Sequence, residues 1–162
     1  MIHRFLLALA ALTALALPLR AEVSIQEVTS PGGLKAWLVE EHSIPFTALE
    51  LRFKGGASLD LPGKRGATAL MTSLLEEGAG DLDARAFARA TESLAASFSF
   101  RANDDAVAVS AKFLSENRDQ AVALLRDALT APRFDDDAIA RVRAQVISNI
   151  RSDAKDPDNI AG

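Results

Sequence analysis

The 162-residue chain has no cysteine and no tyrosine, a single tryptophan and only two histidines. Without cysteine there is no disulfide framework and no thiolate chemistry. The histidines are His3, close to the start, and His42, so any centre that needs two imidazoles in one folded domain is excluded once the first residues are set aside. Positive charge is also scarce: 18 Lys plus Arg stand against 22 Asp plus Glu, for a net charge of −4. Nucleic-acid binding needs a clustered basic surface, and this balance argues against one. Long apolar runs are missing too. The run Phe5 to Leu17 is broken only by Thr13 and falls short of the roughly 20 residues that span a bilayer.

That run follows His3 and Arg4 and precedes Leu19-Arg20-Ala21, the order of a secretory signal peptide with cleavage after Ala21. Residues 1–21 hold Arg4 and Arg20 and no acid, so their removal makes the chain more acidic and leaves His42 as the remaining histidine. The expectation is export across the inner membrane to the periplasm, with no stable membrane insertion after the signal is removed. Residues 22–162 suffice for one domain with one core. No repeat, low-complexity tract or Ser/Gly linker divides them.

Periodicity gives the elements. Strands are expected from Val23, from Leu34 to Glu40 after the Pro31-Gly32-Gly33 turn, and from Phe46 to Lys54, where Leu49, Leu51 and Phe53 alternate with Glu50, Arg52 and Lys54. Gly55-Gly56 stops the third and is no phosphate loop, having no lysine with serine or threonine at Walker spacing. A helix from Ala67 to Glu77 ends at Gly78, and a second runs from Asp83 to about Ala95. Ser97 to Arg101, the turn Asn103-Asp104 and Ala106 to Leu114 read as a hairpin, with Phe98, Phe100, Val107, Val109 and Phe113 at period two. Helices follow from Asn117 to Leu129 and from Asp135 to Arg151, the latter with apolar residues Ile139, Val142, Val146 and Ile150 on one side. Asp135-Asp136-Asp137 suits the start of that helix and lacks calcium-loop spacing. Asp156-Pro157-Asp158 reads as the start of a further helix with few residues after it, so the sequence is expected to be cut short at its C-terminus.

The segment GATALMTSLLEEGAG, Gly66 to Gly80, places Ala67, Leu70, Met71, Leu74 and Leu75 on one arc of a helix and Ala69, Thr72, Ser73 and Glu76 on the other. With the preceding strand, Gly-Gly and loop, it resembles the catalytic helix of the insulinase (pitrilysin-like) family of zinc peptidases. Leu114-Ser115-Glu116 with the helix Ala121 to Leu125, and Lys155-Asp156-Pro157, resemble later family segments. The resemblance implies an α+β domain, an antiparallel sheet with helices packed on it, forming an incomplete N-terminal domain over residues 22–162. Active relatives carry HxxEH on this helix and take a last zinc ligand, a glutamate, from a helix roughly 75 residues further on. Laid on this sequence, those positions are Ala69, Thr72, Ser73 and Asn149. None has the family's residue. Ala69 has no ligand atom, the neutral oxygens of Ser73 and Asn149 are poor zinc donors, and a threonine hydroxyl is no general base near neutral pH. The expectation is therefore no catalytic residue, no metal and no cofactor here, although active relatives hold zinc.

The resemblance also implies a cleft-lining strand, here Ser97 to Arg101, with Ser99-Phe100 where relatives have Asn-Ala; Ser99 and Phe100 are the candidate substrate-binding pair. The family pairs active with degenerate members. The reading is a non-catalytic, peptide-binding subunit that partners an active zinc-peptidase homologue as a heterodimer. Two alternatives stand beside it: a structural or assembly module of the same fold, and relocated chemistry using the many serines, carboxylate clusters or His42, which lies in the Glu40-Glu41-His42-Ser43 loop.

Overall fold

The computed structural model describes residues 24–155. The signal-peptide segment and Asp156-Pro157-Asp158 lie outside the described residues. The chain divides into two compact units, 1–43 and 44–162, at a point where the sequence offers no linker composition.

In the first unit, β1 (Ile25–Thr29) and β2 (Lys35–Val39) pair antiparallel, with Ile25 opposite Val39 and Thr29 opposite Lys35. The turn closes because the Ser30 hydroxyl accepts from the Leu34 amide at 3.0 Å and Gly33 takes a positive φ of 84°. His42 lies 3.3 Å from a Glu40 carboxylate oxygen, with its side chain 87% exposed. Among the described residues no His, Cys, Asp or Glu trio forms a metal-holding group around it or elsewhere.

The second unit is built on a three-stranded antiparallel sheet of order β3 (Phe46–Lys54), β7 (Ala106–Leu114), β6 (Ser97–Ala102). Directly opposed residues share a face, so the registers Leu51↔Val109↔Phe100 and Glu50↔Ser110↔Ser99 separate an apolar face from a polar one. Among the described residues four α-helices accompany the sheet: α1 (Ala67–Leu74), α2 (Ala84–Ser93), α3 (Arg118–Thr130) and α4 (Asp136–Asp153). The core joins Leu75, Phe87, Phe100, Val109, Phe113, Leu124 and Leu125. A second cluster joins Leu74 of α1 to Ala138 and Val142 of α4. Ile139 and Val146 pack against that cluster as the helical spacing predicts, whereas Ile150 is 62% exposed.

The hairpin turn between β6 and β7 is held by the Gly55-Gly56 segment. Gly55 N–H donates to Asp105 O (2.8 Å), Ala57 N–H to Asn103 O (2.9 Å) and Ser58 N–H to Asp104 O (3.0 Å). A Cβ on Gly56 would lie 2.0 Å from Asn103 O. Glycine is there so that two backbones can touch.

The ends of α1 and α2 differ from the periodic reading. α1 stops at Leu74 because the Leu75 and Glu77 amides bond to carbonyls three residues back, and Gly78 (φ 119°) then enters a two-residue strand, β4 (Gly78–Ala79), paired with β5 (Leu82–Asp83). α2 starts after Asp83, whose carboxylate accepts from Ala86 N at 2.7 Å. It ends in a Schellman turn: Ala96 N–H donates to Thr91 O and Ala95 N–H to Glu92 O. Ala95 occupies the left-handed position, φ 47°, normally a glycine's.

Candidate functional site

α1 is positioned from both ends. Its first amides are capped from a distance by Asp60, which accepts from Gly66 N (2.7 Å), Thr68 N (3.1 Å) and the Thr68 hydroxyl (2.6 Å). The Thr68 hydroxyl and these amides hold the Asp60 carboxyl below the usual aspartate range. Just beyond its last residue, Glu77 receives both guanidinium nitrogens of Arg141 on α4, at 2.9 and 2.7 Å. Laterally, Leu70 and Leu74 face α4 while Met71 and Leu75 enter the main core. Burial on two sides leaves α1 a narrower free arc than an amphipathic projection suggests.

The motif positions show the consequence. Thr72, placed on the polar arc by periodicity, is only 3% exposed, and its hydroxyl donates to Ala69 O at 3.0 Å. Ser73 is exposed, and its hydroxyl donates to the same carbonyl at 2.9 Å. Asn149 lies on α4, exposed, with Oδ1 accepting from Gln145 Nε2 at 2.8 Å. Each polar group is used within its own helix. Zinc needs imidazole, thiolate or carboxylate donors, and a methyl, two back-bonded hydroxyls and a carboxamide supply none. These four residues do not fit a zinc ion.

α1 packs beside β6, which is an edge of the three-stranded sheet. The expected substrate pair Ser99 and Phe100 splits across its two faces. Ser99 stands opposite Ser110, whose hydroxyl donates to the Glu50 carboxylate. Phe100 is 8% exposed and belongs to the core, so its ring lines no cleft. Phe98 and Phe100 share the apolar face, and Phe98 packs against Phe87 with ring centroids 6.3 Å apart.

The main chain of Phe100 is another matter. Asn103 N–H donates to Ala106 O at 2.8 Å, which makes Asn103–Ala106 a hydrogen-bonded pair. Such pairs alternate along an antiparallel ladder, so Arg101, Ser99 and Ser97 direct their amides and carbonyls at β7. The backbone groups of Phe98, Phe100 and Ala102 therefore point outward from the edge.

A groove of about 340 Å³ adjoins the start of this strand, bounded by Glu76 just past α1, by Phe87, Thr91 and Glu92 on α2, and by Phe98 on β6. Burial raises the proton affinity of the Glu76 carboxyl, and the neighbouring charge of Glu77 adds to the effect. Periodicity gave no sign of this groove, because its two carboxylates come from different elements. It also missed Asn117, whose side chain donates to Leu94 O at the end of α2 rather than capping its own helix.

Residues 35–161 match the model of the insulinase family, peptidase family M16. A non-peptidase homolog, YmxG, of Helicobacter pylori (strain ATCC 700392 / 26695) is 30% identical over 122 residues, 75% of this chain and 28% of that protein. The crystal structure of a peptidase M16 inactive domain from Pseudomonas fluorescens superposes with a TM-score of 0.78 at 28% identity, covering 86% of this chain and 34% of that one. A protease from Helicobacter pylori shares the fold, with a TM-score of 0.65 at 18% identity over 80% of this chain and 31% of that one. The chain thus spans about a third or less of the length of each.

Proposed function

The chain belongs to the insulinase family, peptidase family M16, and from that premise we propose that it is a non-catalytic, peptide-binding member that partners an active zinc-peptidase homologue in the periplasm. The observation that carries the reading is the state of α1. The helix packs against β6 and α4, while Ala69, Thr72 and Ser73 on it and Asn149 on α4 offer no metal ligand or base. Relatives described as a non-peptidase homolog and as an inactive domain agree with that state. Peptide is held by strand addition: an extended segment pairs with the outward amides and carbonyls of Phe98, Phe100 and Ala102, and main-chain hydrogen bonds give affinity with little regard to sequence.

The test is reconstitution of the full-length protein with an M16 zinc peptidase from the same cell. Alone, the protein should carry no stoichiometric zinc and leave unstructured peptides intact; with its partner it should co-elute and lower the Michaelis constant for peptide hydrolysis. Nearly one zinc per chain, lost to a chelator together with hydrolysis by the protein alone, overturns the reading. Co-elution with no change in peptide handling favours a structural module instead.

A further inference from the structure

The groove beside β6 has a composition that selects its occupant. Its walls include two aromatic rings, Phe87 and Phe98, and its rim carries two carboxylates from separate elements, Glu76 and Glu92. Among the described residues neither carboxylate has an ion-pair partner; the neighbouring Glu77 has taken Arg141. The Thr91 hydroxyl donates to Phe87 O at 3.0 Å and keeps its acceptor capacity for a donor in the groove. A purely apolar occupant would strip water from Glu76 and Glu92 without compensation, and an acidic one would be repelled. A long apolar stem ending in a cation satisfies both the rings and the carboxylates.

The position adds a direction. Phe98 lines the groove with its side chain, while its main-chain groups lie on the outward edge of β6. A peptide added to that edge runs past the groove mouth, where alternate side chains meet the flanking surface. We propose that the groove takes an arginine or lysine side chain of a peptide lying along β6, with its stem against Phe87 and Phe98 and its charge between Glu76 and Glu92. This rests on the strand-addition reading above and adds a preferred side chain to an otherwise sequence-tolerant contact. The gain is modest, because the carboxylates are only partly withdrawn from water.

The experiment uses the full-length protein and fluorescent decapeptides identical except at one central position, bearing arginine, lysine, citrulline or norleucine, titrated at low salt by anisotropy. Arginine and lysine peptides should bind about fivefold more tightly than the citrulline peptide. Glu76→Gln with Glu92→Gln should erase that preference and should not weaken norleucine binding, since a neutral amide costs less to desolvate than a carboxylate. A parallel titration with agmatine, an arginine side chain without a peptide, should shift the amide resonances of Phe87, Thr91 and Phe98. If all four peptides bind alike, the cation groove is overturned and strand addition stands. If no peptide binds yet agmatine shifts those resonances, the groove is upheld and strand addition falls. If neither binds, both fail.

Discussion

Gly56→Ala tests whether the hairpin that carries the edge strand is held by backbone contact. Gly56 has φ −146°, outside the left-handed region, so what opposes alanine there is the neighbouring main chain. The cost is steric. The new methyl would sit 2.0 Å from Asn103 O, 2.8 Å from Ala106 N and 2.9 Å from Asp104 O, all main-chain atoms that cannot rotate away. The turn must retreat by more than an ångström, which breaks or stretches the bonds from Ala57 to Asn103 and from Ser58 to Asp104. Two hydrogen bonds at about 1 kcal/mol each, with about 1–3 kcal/mol for overpacking, give a loss of about 3–5 kcal/mol. That is a large part of the roughly 5–15 kcal/mol that holds a domain together. Gly63→Ala is the control: its φ is 79° and nothing lies within 4 Å, so only left-handed strain applies, about 1–2 kcal/mol. Urea titration of both variants should show the Gly56 variant with much the lower midpoint at an unchanged slope. Equal midpoints would refute the argument that the turn docks on Gly56.

Ala95→Gly should stabilise the protein by about 0.5–1 kcal/mol, because it relieves a left-handed alanine at the end of α2; a lower urea midpoint would contradict this. The folded-state proton affinities of Asp60 and Asp83 are depressed, so their contribution to stability is complete above the unfolded carboxyl value near 3.8 and is lost as pH falls through the lower folded values. Denaturation midpoints of Asp60→Ala should accordingly lie below wild type at pH 7 and converge toward it in acid; a constant gap counts against the capping role. Arg141→Ala should lower the thermal midpoint slightly, less so in high salt, since the Glu77 pair is partly exposed. Thr72→Glu should destabilise by about 3 kcal/mol or more by burying a carboxylate where a satisfied hydroxyl now sits, and a urea midpoint within error of wild type would disprove that.

Elements with a full period were legible in the sequence. The alternation in β3, β6 and β7 and the helical spacing in α3 and α4 returned those segments within one or two residues. β4 and β5 were not, because two residues carry no period, and their pairing depends on Gly78 at φ 119° and on Pro132 bridging to Ala79. The family motif can be laid on α1 from the strand, Gly-Gly and loop before it, but the burial of Thr72 cannot be read there: an amphipathic projection gives one core side, whereas α1 packs on the sheet's core and on α4 together. The covered side of β6 stayed open in the sequence for a related reason, since periodicity puts Phe98 and Phe100 on one face and Ser97, Ser99 and Arg101 on the other without saying which is inward. Which side of an edge strand is covered depends on where the helices return, and only the outward main chain of Phe100 remains open to a ligand.

The inward turn of Thr72 makes the loss of the motif directional. A hydroxyl satisfied by Ala69 O can be closed over by neighbouring apolar residues, and at 3% exposure that closure is complete. From such a state, a return to glutamate is opposed by folding before any catalytic benefit arises, because the carboxylate is useful only once a metal and its other ligands stand beside it. Three further changes, at Ala69, Ser73 and Asn149, would have to be present already for the buried charge to find a partner. Each alone brings nothing. The scaffold therefore acts as a ratchet: drift at this helix can continue to improve packing, while the route back to hydrolysis passes through an intermediate that the fold itself rejects.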